Sequence, residues 1–179
     1  MIYPPRRRRQ QRRGATSVEM AFVALVLFML IFGIFEYCRF LFMLHLTNNA
    51  ARDAVRYAVV HTSGGTLPGD PLTISDSDII SIARTGMIGT QSVGSGLAGM
   101  DANIEGLNIS VFAVDMAALS QSPPVIQPDP SNPNWTSAGF GQMIAVRMTG
   151  NYRPALPSLF WLSNTIPFQV TVMYGSEGN

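Results

Sequence analysis

The chain has 179 residues, of which 47% are apolar and only 13% charged, against about a quarter charged in ordinary soluble domains. That length leaves room for one modest domain plus an anchor, and the single cysteine, Cys38, excludes an internal disulfide, so a folded domain is held by packing alone. The formal charge of +1 conceals an asymmetry: six of the twelve basic residues, Arg6, Arg7, Arg8, Arg9, Arg12 and Arg13, crowd the first thirteen positions, while from Gly14 onward six arginines face eleven acidic residues, a net of −5.

An arginine run alone fits nucleic acid, anionic lipid or a membrane topology signal. The adjoining residues decide between these. Met20 to Phe35 is a stretch of sixteen residues without charge or proline. With Ala15 to Val18 in front and Tyr37 to Leu44 behind, it predicts an apolar helix of about thirty residues, where about twenty suffice to cross the hydrocarbon core of a bilayer. The arginines then hold the N-terminus in the cytoplasm, and nucleic acid drops out as a partner. A cleaved secretory signal fits poorly, because the apolar run is long and no small-x-small site comes promptly after it. Cys38, inside this helix, reads as a small buried apolar residue.

Glu19 and Glu36 bracket the uncharged stretch. Arg39 lies three residues after Glu36, so the two are expected to pair on one helix face near the outer interface. A carboxylate deep in an apolar helix costs up to roughly 2.5–3.5 kcal/mol on insertion scales. Glu19 therefore has two readings. It lies at the headgroup level and stabilises the positive end of the helix dipole, or it awaits a cationic partner in a neighbouring subunit.

The stretch RRGATSVEMA, residues 12–21, resembles the class III signal of type IV prepilins and pseudopilins: a basic leader, a glycine, four residues, a glutamate, then a long apolar helix. Over Arg13 to Val60, the pieces GATSVEMA, FGIFEYCRF and LTNNAARDAVRYAV together resemble the TadE family of pseudopilins of the tight-adherence (Flp) pilus assembly system. The resemblance implies cleavage by a prepilin peptidase between Gly14 and Ala15. The leader Met1–Gly14 then stays in the cytoplasm, and Glu19 becomes the fifth residue of the mature chain. It also implies that Glu19 neutralises the free amine of an adjacent subunit during assembly, since a carboxylate and an ammonium meeting in low dielectric offset each other's desolvation. The implied partners are membrane lipid, other pilins and pseudopilins, the pilus assembly machinery and the peptidase. The implied location is the bacterial inner membrane, with the C-terminal domain outside the cytoplasm and a role in cell adhesion. Met20 departs from the family pattern, which usually has an aromatic residue directly after the glutamate; Phe22 is near.

Beyond the apolar run, Leu41, Leu44, Ala51, Ala54, Val55 and Ala58 fall on one face of a continuing helix. Ser63-Gly64-Gly65 ends it near Val60. Gly33 and Thr47-Asn48-Asn49 are candidate break points, so a single rod and a kinked anchor stand level. His45 and His61 read as interface or capping histidines.

Thr62 to Leu72 is a loop. Ser75 is a good N-cap for a helix from Asp76 to about Met87, with Asp76 and Asp78 in its first turn. Residues 89–102 are rich in glycine and serine. Strands are expected at Asn108–Asp115, Gln142–Tyr152 and Phe168–Tyr174. Ser120 to Trp135, with five prolines, reads as a long surface loop. The run LPSLFWL, residues 156–162, reads as a loop covering the sheet, or as a second membrane contact.

These elements predict an α+β chain in four parts: a basic leader over 1–14, a transmembrane helix over 15–44, its extension over 45–61, and an extracytoplasmic domain over 62–179 with a short helix and a small antiparallel sheet. Catalytic signatures are missing. Gly94 to Gly99 matches GxGxxG but lacks a strand before it and a helix after it, and the sequence holds no CxxC, HExxH, GxSxG or P-loop. We therefore expect no enzyme, no cofactor, no metal and no small-molecule substrate. The reading is a pseudopilin. Its alternative is an uncleaved single-pass anchor carrying an extracytoplasmic binding module.

Overall fold

The computed structural model describes residues 11–62, 74–88, 103–155 and 164–176. Helix α1 runs unbroken over Gln11–Val60, 50 residues, a rod of about 75 Å at 1.5 Å per residue. Neither candidate break point interrupts it. Thr47 is accommodated because its hydroxyl donates to the carbonyl of Met43 at 2.9 Å, inside the helix. Helix α2 (Asp76–Ile88) comes next, then strand β1 (Ile104–Ala113), a four-residue helix α3 (Met116–Leu119), a one-turn 3-10 helix (Trp135–Ser137), and strands β2 (Met143–Tyr152) and β3 (Ile166–Gly175). The sheet is antiparallel throughout, in the order β1-β2-β3. The α+β layout expected from the sequence is the one observed.

The core lies between the upper half of α1, helix α2 and one face of the sheet. Alanines and valines of α1 (Ala50, Ala51, Ala54, Val55, Ala58) meet Ile79 and Ala83 of α2 and Ile144, Val146 and Met148 of β2. The small side chains let the helices approach closely. A Cβ on Gly86 of α2 would lie 3.2 Å from Ala50. The buried stripe of α1 begins at Met43 and passes through Thr47 to Ala50. Leu41, expected on this stripe, is exposed, and Leu44 is half-buried, because the face that meets the domain here runs through Glu36, Phe40 and Met43 and turns Leu41 away. Cys38, expected to be buried, is exposed for the same reason.

The opposite face of the sheet is partly covered. Phe112, Val114 and Ala145 pack with Leu119 and Ile126 from α3 and the proline-rich segment. β1 starts four residues earlier than its alternation suggests. A bulge between Glu105 and Asn108, with Gly106 at φ 64°, hides the pattern. It also stops short of Asp115, whose carboxylate accepts from the Ala117 N–H at 2.9 Å and caps α3. β3 tolerates Pro167 because it is an edge strand.

Two features of α2 differ from expectation. Ser75 does precede it, but the bonding is reversed: the Asp78 carboxylate accepts from both the Ser75 N–H (2.8 Å) and its hydroxyl (3.0 Å). This is the back-reaching half of a capping box, and it holds the Asp78 carboxyl below its ordinary range through the backbone bond first and the hydroxyl second. Second, Trp135 closes the expected surface loop yet is 1% exposed. Its indole N–H donates to Asp76 Oδ1 at 2.5 Å, tying the 3-10 turn to the start of α2. His61 ends α1 as a capping residue, with Nδ1 2.8 Å from the Tyr57 carbonyl. The GxGxxG stretch, the LPSLFWL run and Arg6 to Arg9 lie outside the described residues.

Candidate functional site: the apolar helix and its collar

The lower part of α1 stands clear of the domain. Thr16–Val60 is long and apolar enough to cross a membrane, and its most apolar window has none of its residues buried. Val18, Met20, Phe22, Phe28, Phe32 and Phe35 are all exposed. Val18 to Phe35 covers about 27 Å of helix at 1.5 Å per residue, close to the roughly 30 Å hydrocarbon core of a bilayer. A soluble domain seldom leaves so much contiguous apolar surface in water. Gly14 and Glu19 are exposed on this part of the helix. Glu19 has no partner among the described residues.

The bare segment ends at a polar collar. Glu36, the first charged residue after the apolar run, is held by three donors. Its Oε1 accepts from the Tyr152 hydroxyl at 2.7 Å and from the backbone N–H of Ala155 at 3.1 Å. Its Oε2 stands 3.4 Å from Arg39 Nη1. The Glu36 side chain is 12% exposed and that of Arg39 is 39% exposed. A carboxylate this far out of water needs such partners, or its desolvation would be uncompensated. The Tyr152 ring packs 5.3 Å from Phe40, centroid to centroid. Burial, then the hydrogen bond to Glu36, pushes the Tyr152 phenol up to about 12. Below the collar, Gly33, Tyr37, Pro154 and Ile166 help line an apolar recess of about 320 Å³.

The spacing of Glu36 and Arg39 announced their proximity. Tyr152 and Ala155 were not legible as partners, because 116 and 119 residues separate them from Glu36. The one available hint was a tyrosine at the end of a strand whose other buried positions are apolar. Among the described residues, no group of three or more histidine, cysteine, aspartate or glutamate side chains is placed to hold a metal ion.

No curated protein and no solved structure matches the chain. The exposed apolar helix and the helical half of the collar, Glu36 and Arg39, fall within the stretch that matches a family model. Residues 14–56 match the family model described as TadE-like protein, and over that span the chain resembles the family.

Proposed function

We propose that this chain is a minor, pseudopilin-type structural or assembly component of a tight-adherence (Flp) pilus. It inserts into the inner membrane with its arginine-rich leader in the cytoplasm, is cleaved by a prepilin peptidase after Gly14, and assembles with other pilins through its apolar helix. The observation that carries this reading is the TadE-like segment whose membrane-length half projects bare from the folded domain. Apolar side chains on every side of a helix suit lipid first and neighbouring helices afterwards. Glu19, without a partner among the described residues, meets the amine of Ala15 in the next subunit, so that two charges in low dielectric compensate one another. The collar at Glu36 sits at the outer headgroup level and fixes the domain against the helix.

The test is the N-terminus of the cellular protein. Expression with a prepilin peptidase is expected to yield a mature chain beginning at Ala15, and expression without it the full chain. An unchanged mass in the presence of the peptidase returns the chain to the alternative, an uncleaved anchor with a binding module. Glu19→Ala is expected to leave insertion intact and to abolish incorporation into the assembly; normal incorporation removes the charge-pairing role.

A further inference from the structure

Among the described residues β1 is an edge strand, and its outer backbone side is used only in part. The Val114 N–H donates to the Met143 carbonyl at 2.8 Å, which sets the phase of the ladder. Phe112, Ser110 and Asn108, opposite Ala145, Arg147 and Thr149, turn their backbone groups toward β2, and the alternate residues Ala113, Val111 and Ile109 turn theirs outward. Ala113 is covered: its N–H donates to the Pro133 carbonyl at 3.1 Å and its carbonyl accepts from the Asp129 N–H at 2.9 Å. Val111 and Ile109 have no backbone partner on that side among the described residues.

A groove of about 700 Å³ beside Val111 is lined by Ser110, Val111 and Phe112 of β1 and by Ile74, Trp135 and Asp76, whose carboxylate already accepts from the Trp135 indole N–H. Arg147 also lines it. Its guanidinium lies 5.0 Å from the centre of the Phe112 ring, and one Nη donates to the Ile126 carbonyl. Its Nε is buried without a partner. The two ion pairs among the described residues are Arg39–Glu36 and Arg153–Glu105, so Arg147 has no carboxylate. A half-buried guanidinium that meets only one carbonyl lacks its counter-charge.

We propose that this edge receives an extended segment of a partner polypeptide as a fourth strand, with an acidic side chain directed at Arg147. The outward N–H and C=O of Val111 and Ile109 select an extended backbone, since main-chain pairing supplies affinity in strand addition and alternate side chains supply specificity. The bulge at Gly106 and the cover over Ala113 close the two ends of the edge. They confine pairing to the stretch between them and limit indiscriminate association. The unpaired cation selects an acidic residue on the incoming strand over a neutral one.

The test uses the full chain in detergent micelles and a blocked seven-residue peptide alternating threonine and valine, with glutamate at its centre. Without peptide, the amides of Ile109 and Val111 are expected to exchange with deuterium at least about tenfold faster than those of Ser110 and Phe112, as unpaired donors do. The peptide is expected to slow them by about tenfold or more. Replacing its glutamate by glutamine should weaken binding about tenfold, the scale of one charge-assisted hydrogen bond, and N-methylation of alternate peptide amides should abolish it. Arg147→Met should erase the preference for glutamate while leaving the weaker, backbone-driven binding. The proposal is overturned by any of four results: protection of both amides in the free protein, which means the chain's own residues cover the edge; protection that grows with protein concentration, which means a second copy does; no slowing by the peptide; or equal affinity for the glutamate and glutamine peptides.

Discussion

The Tyr152 hydroxyl donates to Glu36 Oε1 at 2.7 Å, so the last residue of the central strand is latched to the helix at the point where its apolar segment ends. Glu36 also takes the Ala155 N–H and the Arg39 guanidinium. Tyr152→Phe keeps the ring against Phe40 and removes only the hydroxyl. Hydrogen bonds to charged groups contribute about 1.5–3 kcal/mol. The variant is expected to lose about that much stability in denaturant unfolding of the micelle-bound protein, with the fold retained. Spin labels on the lower part of α1 and on β2 should report a broader distance distribution. An unchanged midpoint and an unchanged distribution would show that the latch contributes nothing.

The same residue sets a pH dependence. Its phenol is raised from 10.0 to about 12. A group raised in the folded state contributes stability that is present in full below its unfolded value and is lost as pH climbs through the folded one. The window is therefore pH 10 to 12. Titrating tyrosinate absorbance should reveal one late-ionising tyrosine among the five, absent from Tyr152→Phe. If the native protein ionises one more tyrosine below pH 11 than Tyr152→Phe does, Tyr152 is not in the environment described.

Asp78 behaves in the opposite sense. Its carboxyl is depressed, first by the Ser75 N–H and then by the Ser75 hydroxyl. It thus stabilises the start of α2 above the ordinary aspartate value of 3.8, and this contribution is lost as pH falls through the depressed value. A carbon-detected NMR titration should place the Asp78 midpoint below 3.8, and Ser75→Ala should move it part of the way back. A midpoint insensitive to Ser75→Ala would contradict the hydroxyl bond.

Trp135 is the largest fully buried side chain among the described residues, and its N–H depends on Asp76. Asp76→Ala strands a buried donor, at a cost of about 1–3 kcal/mol. Trp135→Ala removes the ring itself and should cost about 3–5 kcal/mol. Thermal unfolding followed by tryptophan fluorescence measures the first and circular dichroism the second. Equal stabilities for the two variants would mean that the ring packs against nothing of consequence.

Hydropathy and capping residues made most of this fold readable before any coordinates. The apolar run after the arginines is a local signal that needs no tertiary context. The alternation in QMIAVRMTGNY located β2 to within a residue of Met143–Tyr152. What escaped was decided by distant parts of the chain. Trp135 comes after five prolines and reads as surface, yet a carboxylate 59 positions earlier gives its indole a place inside. The first half of β1 escaped because a bulge at Gly106 breaks the period-two pattern on which strand recognition rests. Leu41 fitted the helical spacing of the buried face, but spacing alone does not say which face the domain covers, and that face runs through Glu36, Phe40 and Met43. The collar at Glu36 showed only its sequence-local half.

Because the collar draws the floor of the sheet onto α1 within one turn of the apolar segment, no stalk separates the folded body from the exposed apolar helix. A tether would let neighbouring bodies slide over one another while their anchors met. Here the body travels with its anchor as one piece, and its girth dictates how near two anchors come on the side it occupies. In the assembly proposed above, close approach is left to the bare flank, so neighbouring helices meet on one side only.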